Sequence, residues 1–308
     1  MTRGGYARVR SQRPCRYADS MTGLDRFGEH HRVAEIHRAV PVLTGDEHQP
    51  TGHGLGEQPL SVPREAGKCE LVILATKAMH VAQAAEGAKP LLDADTVVLS
   101  IQNGLGGPET AAQILGKERV MVGVVGGFGA SMKGPGHAHH NGMELVRLGE
   151  FGGPITPRLE KVAEVWRGSG FRVKVFDDID QLVWEKLICN CAYSGPCGLA
   201  EATIAEVMSD PDLSWISAQC ASEGFAVAKK KGVKLGFDDP VAYVRDFGSK
   251  IPNARPSVLL DLMLKKKSEI DVINGSIPRE AKKLGMAAPV NETVTALVKA
   301  KERKLGCK

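Results

Sequence analysis

No apolar run in this 308-residue chain approaches the roughly 20 residues that a helix needs to cross a bilayer. The start lacks the combination of a basic region followed by an apolar run that marks a secretory signal. No membrane partner is expected. The net charge of +4 is too small to argue for a nucleic-acid partner or an anionic membrane surface. The seven cysteines are odd in number and irregular in spacing, and no C-x-x-C pair exists, so zinc-site spacing is absent. Cys189 and Cys191 fall in an apolar stretch, where a free thiol behaves as a small hydrophobe, and a reducing cytoplasm is the simplest compartment. No internal repeat or low-complexity tract is present. The absence with most consequence is a G-x-G-x-x-G turn after an opening strand, the pattern that cradles a pyrophosphate. Gly52-His53-Gly54-Leu55-Gly56 has the wrong spacing and no strand before it, and Asn103-Gly104-Leu105-Gly106-Gly107 follows the wrong strand.

What is there reads as a soluble globular protein, 43% apolar and 25% charged, long enough for about two domains. Residues 1–66 form an atypical segment whose order is left open. Arg3, Arg8, Arg10, Arg13 and Arg16 stand against one acid, Asp19, as in a transit peptide, but the apolar face of such a peptide is missing. The patches at 33–36 and 40–43 are too brief to count as elements. At Cys69 the character changes. Leu71-Val72-Ile73-Leu74-Ala75 is a continuous apolar run, typical of a strand buried on both faces. Helical patterns over 81–92 and 108–115 alternate with strands over 96–100 and 120–125, which predicts a doubly wound α/β sheet. Residues 126–153 are glycine-rich, with an antiparallel strand at 144–148. A helix over 157–166 and a strand over 172–176 follow. After Asp177 only helical periodicity remains, over 182–193, 204–208, 213–231, 241–247, 258–277 and 293–304. The expected division is therefore an α/β domain over 67–177 and an all-helical domain over 178–308.

The stretch from Trp184 to Pro196 carries the first candidate site. As a helix it places Lys186 and Asn190 one turn apart on one face, with Tyr193 and Ser194 a turn further. Trp184, Leu187, Ile188 and Cys191 take the other side. A mostly apolar helix with one short polar stripe is buried nearly all round, and a buried lysine needs its charge compensated. The plain alternative is a surface lysine beside a capping asparagine. Lys77 and Asn103 each stand just past the carboxyl end of a predicted parallel strand, the edge where ligands bind in open α/β sheets; a cap or turn is the alternative reading. Glu269 borders an apolar run after Lys265-Lys266-Lys267, either facing a pocket or paired with those lysines on a solvated helix face. His137-Ala138-His139-His140 has no carboxylate at metal-binding spacing and reads as part of a glycine-rich hairpin.

Together these segments resemble the ketopantoate reductase (2-dehydropantoate 2-reductase) family. The pieces that carry the resemblance are Leu71-Val72-Ile73-Leu74-Ala75-Thr76-Lys77, Gln102-Asn103-Gly104-Leu105-Gly106, residues 142–149, Trp184-Glu185-Lys186-Leu187-Ile188-Cys189-Asn190, and Ser257…Asp261…Ser268-Glu269-Ile270-Asp271…Ile273-Asn274-Gly275. Pro289…Asn291 and Glu302 fit the family's ending. The resemblance implies a Rossmann-like NADP-binding domain, incomplete or divergent at its start, followed by an all-helical C-terminal domain, with NADPH and a small 2-oxo acid in the cleft between them. It implies Lys186 as the general acid that protonates the ketone oxygen; burial would lower its pKa and a carboxylate such as Glu269 would raise it again. Asn190, Ser194 and Ser257 would hold the substrate. Lys77, Asn103, Gly129 and Glu269 would lie on the cofactor side. A homodimer is the assembly considered.

The chain departs from the family in three places. The opening strand and glycine-rich turn are missing from 1–66, through divergence, truncation or a shifted reading frame upstream of Arg64. The abrupt change of composition near Pro63 and Cys69 favours the last two. Ser194 stands where a second asparagine is usual, and Ala254 where the family often has asparagine. Reduction of ketopantoate to pantoate in pantothenate synthesis is the first expectation. Reduction of a different 2-oxo acid, or a catalytically impaired remnant, are the alternatives.

Overall fold

The computed structural model describes residues 42–43, 66–126, 129–134, 137–142 and 145–308. The chain divides into two compact units: Met1–Gln102 with Gly107–Ile179, and Asn103–Gly106 with Asp180–Lys308.

The first unit is built on a six-stranded sheet. Its strands are β1 (Val42–Leu43), β2 (Leu71–Leu74), β3 (Val97–Ser100), β4 (Val120–Val125), β7 (Leu145–Glu150) and β8 (Arg172–Val175), side by side in that order. β1 to β4 are mutually parallel; β7 runs antiparallel to β4 and parallel to β8. Between β4 and β7, β5 (Gly129–Gly134) and β6 (His137–Gly142) pair as a separate antiparallel hairpin. The apolar runs of the central strands are explained by burial on both faces. Val72, Leu74 and Val98 pack with Ala84, Ala85 and Ala88 of α1 (Val81–Ala88) and with Ala111 and Leu115 of α2 (Gly107–Leu115). Leu71, Val97, Leu99 and Met121 pack on the other face with Leu159, Val162 and Ala163 of α3 (Pro157–Gly168). Alternate residues of one strand thus serve two cores.

The patch at 40–43 does contribute a strand. Val42 and Leu43 pair with Ile73 and Leu74. Two residues leave no periodicity to read; backbone pairing along β2 defines this element. The arginine-rich start, Gly52, Gly54 and Gly56, and the rest of 1–65 apart from Val42 and Leu43 lie outside the described residues.

The second unit is helical among its described residues: α4 (Ile179–Ala200, whose first residue belongs to the first unit), α5 (Ile204–Ser209), α6 (Pro211–Lys231), α7 (Pro240–Lys250), α8 (Ser257–Met263), α9 (Ser276–Lys283) and α10 (Pro289–Leu305). α4 is buried along most of its length and runs through Pro196. Trp184, Leu187 and Cys191 face one core with Ile270, Ile273, Ile277 and Val294; Ile188, Cys189 and Tyr193 face another with Val207, Ala221 and Val244. The helix expected over 258–277 is two helices with turns between them. α8 closes at Leu264, Lys265 takes φ +53°, and residues 269–275 form hydrogen-bonded turns before α9. The apolar spacing of Val258, Leu262, Ile270, Ile273 and Ile277 satisfies the helical pattern because all five are buried in one core. Periodicity reports burial, and burial here is met without a continuous helix.

Candidate active site

In the second unit the long buried helix holds the lysine. Lys186 is half-buried, and its Nζ donates to Asn103 Oδ1 at 2.8 Å across 83 residues of sequence. Asn103 is placed by backbone. Leu105 N donates to the Val272 carbonyl at 3.0 Å, and Gly104 sits at φ +77° with its α-carbon against that same carbonyl, where a Cβ would collide. Glycine is needed at this approach. Asn190 follows one turn along α4 and is half-buried.

The rest of the expected polar stripe divides. Tyr193 is a core residue. Its hydroxyl donates to the Val244 carbonyl at 2.7 Å, and burial pushes its pKa up to about 12. Ser194 is 3% exposed. Ser257 is exposed at the first turn of α8. That helix meets α4 near Gly198, whose added Cβ would lie 3.0 Å from Val258 Cγ1. Among the described residues no hydrogen bond joins Ser257 to Lys186 or Asn190. Glu269 is 8% exposed and stands in the turns after α8. The reading that put it on a solvated helix face is overturned on both counts.

The residues between Glu269 and Gly275 knit these pieces together, and here lie polar residues to which the sequence assigned no role. Asn274 is fully buried, and its Nδ2 donates to the Cys191 carbonyl at 2.9 Å and to Asn291 Oδ1 at 3.0 Å. Asn291, also fully buried, donates through Nδ2 to Glu223 Oε2 at 2.8 Å and to the Cys220 carbonyl at 3.1 Å. Glu223 accepts from Val290 N at 2.8 Å and Asn291 N at 2.9 Å, so a carboxylate from α6 caps the start of α10, where the helix dipole favours negative charge. Farther along, Ser268 donates through N and Oγ to Glu302 Oε1 at 2.8 and 2.6 Å. In the sequence Asn274-Gly275 and Asn291 count only as pieces of the family resemblance, with no role attached.

In the first unit, Lys77 is half-buried and precedes a 3-10 turn (Ala78–His80) just past the carboxyl end of β2. Gly129 opens β5. Side chains of the hairpin other than His139, which is exposed, lie outside the described residues, and with them the His137 and His140 reading. Among the described residues no cluster of metal-ligating side chains occurs, and no helix is long and apolar enough to cross a membrane.

Known proteins resemble the chain in sequence and fold. The sequence profile described as ketopantoate reductase PanE/ApbA matches residues 28–153, and the profile of that family's C-terminal part matches residues 178–302. A 2-dehydropantoate 2-reductase of Archaeoglobus fulgidus is 32% identical over 219 residues, 71% of this chain and 72% of the relative. The chain belongs to the ketopantoate reductase family. The family match begins at residue 28, earlier than Leu71, where the resemblance begins to be readable by eye. A 2-dehydropantoate 2-reductase of Streptococcus pyogenes serotype M3 is 28% identical over 92% of this chain and 90% of its own length. The crystal structure of a PanE/ApbA family ketopantoate reductase from Ralstonia eutropha JMP134 superposes with a TM-score of 0.73 at 31% identity, covering 81% of this chain and 83% of the other. D-mandelate dehydrogenase, solved with NADH and anilino(oxo)acetate, superposes at 0.74 with 28% identity over 80% of each chain. Family membership makes the chain an oxidoreductase acting on a 2-oxo acid with a nicotinamide cofactor.

The first unit offers a test of fit for that cofactor. At the carboxyl edge of β2 and β3, the Gln102 side chain donates to the Leu74 and Thr76 carbonyls at 2.6 and 3.3 Å and accepts from Ser100 Oγ at 2.5 Å. Thr76 Oγ1 is buried and has no hydrogen-bond partner among the described residues. An edge with its side chains pre-set, a spare hydroxyl and the Lys77 ammonium fits a ligand rich in phosphate and hydroxyl oxygens.

Proposed function

We propose that the chain is an NADPH-dependent reductase of 2-dehydropantoate, yielding pantoate in the cytoplasm as a step of pantothenate synthesis. The observation that carries this reading is the Lys186–Asn103 hydrogen bond on a buried helix. A general acid must be held within hydrogen-bond reach of the oxygen it protonates, and Asn103 aims the ammonium without neutralising it. NADPH, when bound, supplies the hydride that reduces the carbonyl carbon. Lys186 gives its proton to the carbonyl oxygen as that charge develops. Asn190, a turn further along α4, and Ser194 and Ser257 orient the substrate by hydrogen bonding. Lys77, Asn103, Gly129 and Glu269 are the proposed cofactor contacts; a buried carboxylate such as that of Glu269 can accept from ribose hydroxyls. A second copy of the chain is the proposed partner.

A second reading has its own support. Ser194 and Ala254 are both smaller than the asparagines the family resemblance would place there, and the likeness to D-mandelate dehydrogenase extends over 80% of the chain. The smaller side chains favour a bulkier 2-oxo acid.

Titration with NADPH and with NADH, followed by nicotinamide fluorescence, tests both readings together. Micromolar NADPH binding is expected, and binding of neither nucleotide at high micromolar concentration would refute both. A panel running from 2-dehydropantoate to aryl 2-oxo acids then separates them by kcat/KM. Lys186→Ala is expected to lower kcat by about 10²–10⁴-fold, the usual contribution of a positioned acid, while leaving NADPH binding within about twofold. Retained turnover would remove Lys186 from the acid's role.

A further inference from the structure

We propose that Asn274 is a positioning residue for Lys186, acting through a closed circuit of contacts inside the helical unit; this rests on the reading of Lys186 as the proton donor. The circuit can be followed atom by atom. Lys186 Nζ donates to Asn103 Oδ1 at 2.8 Å. Two residues on, Leu105 N donates to the Val272 carbonyl at 3.0 Å, with Gly104 pressed against the same carbonyl. Two residues beyond Val272, Asn274 Nδ2 donates to the Cys191 carbonyl at 2.9 Å. Cys191 lies on α4 directly after Asn190 and just over one turn from Lys186.

The lysine and the asparagine that holds it are thus tied to opposite sides of one short segment, Ile270 to Asn274. That segment has no regular secondary structure to stiffen it. Hydrogen-bonded turns shape it, and Asn274 anchors it: its second Nδ2 hydrogen is taken by Asn291 Oδ1 at 3.0 Å, and Asn291 is pinned in turn by Glu223. With Nδ2 serving two acceptors, the amide orientation is set. The remaining Oδ1 atom is buried without a partner among the described residues and stands 3.1 Å from where a Cβ of Gly195 would be. A buried polar atom left unsatisfied is costly. The amide is kept because one of its donors joins the segment to α4 and the other joins it to Asn291 of α10. An apolar side chain of similar volume would fill the space and drop the link.

Position matters here because a proton donor displaced by about 1 Å can lose on the order of 10²-fold in rate. Asn274→Ala is expected to lower kcat by about 10–100-fold, with KM for the 2-oxo acid and the NADPH dissociation constant each changed less than about threefold. The effect should vanish when the lysine is already gone: Lys186→Ala/Asn274→Ala should be as slow as Lys186→Ala. A purely structural role would leave kcat per folded molecule within about twofold of wild type, or give effects that multiply in the double variant, and either result overturns the proposal. Should Asn274→Ala fail to fold, Gly104→Ala breaks the circuit at its other side by driving a Cβ into the Val272 carbonyl. It carries the same expectation of lost kcat and non-additivity with Lys186→Ala, and an unchanged kcat overturns the proposal equally.

A readout independent of turnover separates this inference from the functional reading. Acetic anhydride labelling of Lys186, followed by mass spectrometry against the exposed Lys250 as reference, should accelerate several-fold in Asn274→Ala. If wild type reduces no 2-oxo acid but labelling accelerates, the assigned function falls and the circuit stands. Unchanged labelling removes the circuit.

Discussion

A glycine inside a helix ordinarily costs about 1 kcal/mol relative to alanine, so propensity alone predicts that Gly195→Ala in α4 would stabilise. The packing reverses the sign. A Cβ at Gly195 would fall on Val294 Cγ1 and within 3.1 Å of Asn274 Oδ1. Val294 is β-branched and buried on α10, so it has little freedom to turn aside. Overpacking of this kind costs about 1–3 kcal/mol and exceeds the gain in propensity. Gly195→Ala is therefore expected to lower the urea midpoint at constant slope, and a raised midpoint would show that α10 yields. The cysteines make a second prediction at this scale. Burial pushes the thiols of Cys189 and Cys197 up to about 12 and raises those of Cys191 and Cys220 as well. The thiolate is the reactive form, so at neutral pH these four, with buried Cys69, should resist a disulfide reagent until the protein unfolds. Half-buried Cys307 should be labelled first among the six described cysteines. Site-resolved mass spectrometry of native and urea-treated protein gives the order directly.

At the scale of elements, the charges at the end of α9 carry a pH dependence. Burial of Glu280 opposes its ionisation, but Lys283 at 2.6 Å and Lys231 at 3.1 Å outweigh it and hold the carboxyl below its ordinary value. A carboxyl depressed in the folded state contributes stability above its unfolded pKa of about 4.3, and that contribution is lost as pH falls through the folded value. The difference in unfolding midpoint between wild type and Glu280→Gln should thus be largest near pH 7 and shrink as pH is taken below about 4.3. A difference that is flat with pH would mean that the lysines do not hold this carboxylate. The elements themselves were legible to different degrees for physical reasons. β2, β3 and β4 read directly because strands buried on both faces are continuous apolar runs. The end of α8 did not, because Lys265 at φ +53° and the turns after it leave the burial spacing of Val258 to Ile277 intact. Of the candidate site, Lys186, Asn190, Asn103 and Glu269 could be picked out by residue type, position or family resemblance. That Lys186 meets Asn103 rests on packing 83 residues apart, which no local pattern encodes. Asn274 and Asn291 carry the family resemblance in sequence, but their hydrogen bonds join residues 17 to 83 positions apart and become visible only in the fold.

For the molecule as a whole, the sequence places the change from α/β to helical character at residue 177, and the contact division falls after Ile179. The exception is Asn103–Gly106, which groups with the helical unit although it directly follows a segment of the sheet unit. A boundary drawn on composition is a single cut, whereas a loop that crosses it twice in four residues leaves no compositional trace. The small net charge of +4 also has a consequence at this scale. With so little overall repulsion, an open sheet edge must be protected locally. β8 ends the order of strands in the described sheet, and it alternates exposed Arg172 and Lys174 with half-buried Val173 and Val175. Charged residues on an edge strand obstruct pairing with another chain. Replacing both by threonine keeps β-propensity and leaves Val173 and Val175 in place, so the thermal midpoint of Arg172→Thr/Lys174→Thr should move by less than about 2 °C, as for surface substitutions within about 0.5 kcal/mol. Light scattering during refolding from urea should nevertheless rise several-fold above wild type at equal concentration, and more so when salt screens the remaining charge. If scattering stays at the wild-type level in both low and high salt, the two cations are not what keeps this edge from pairing.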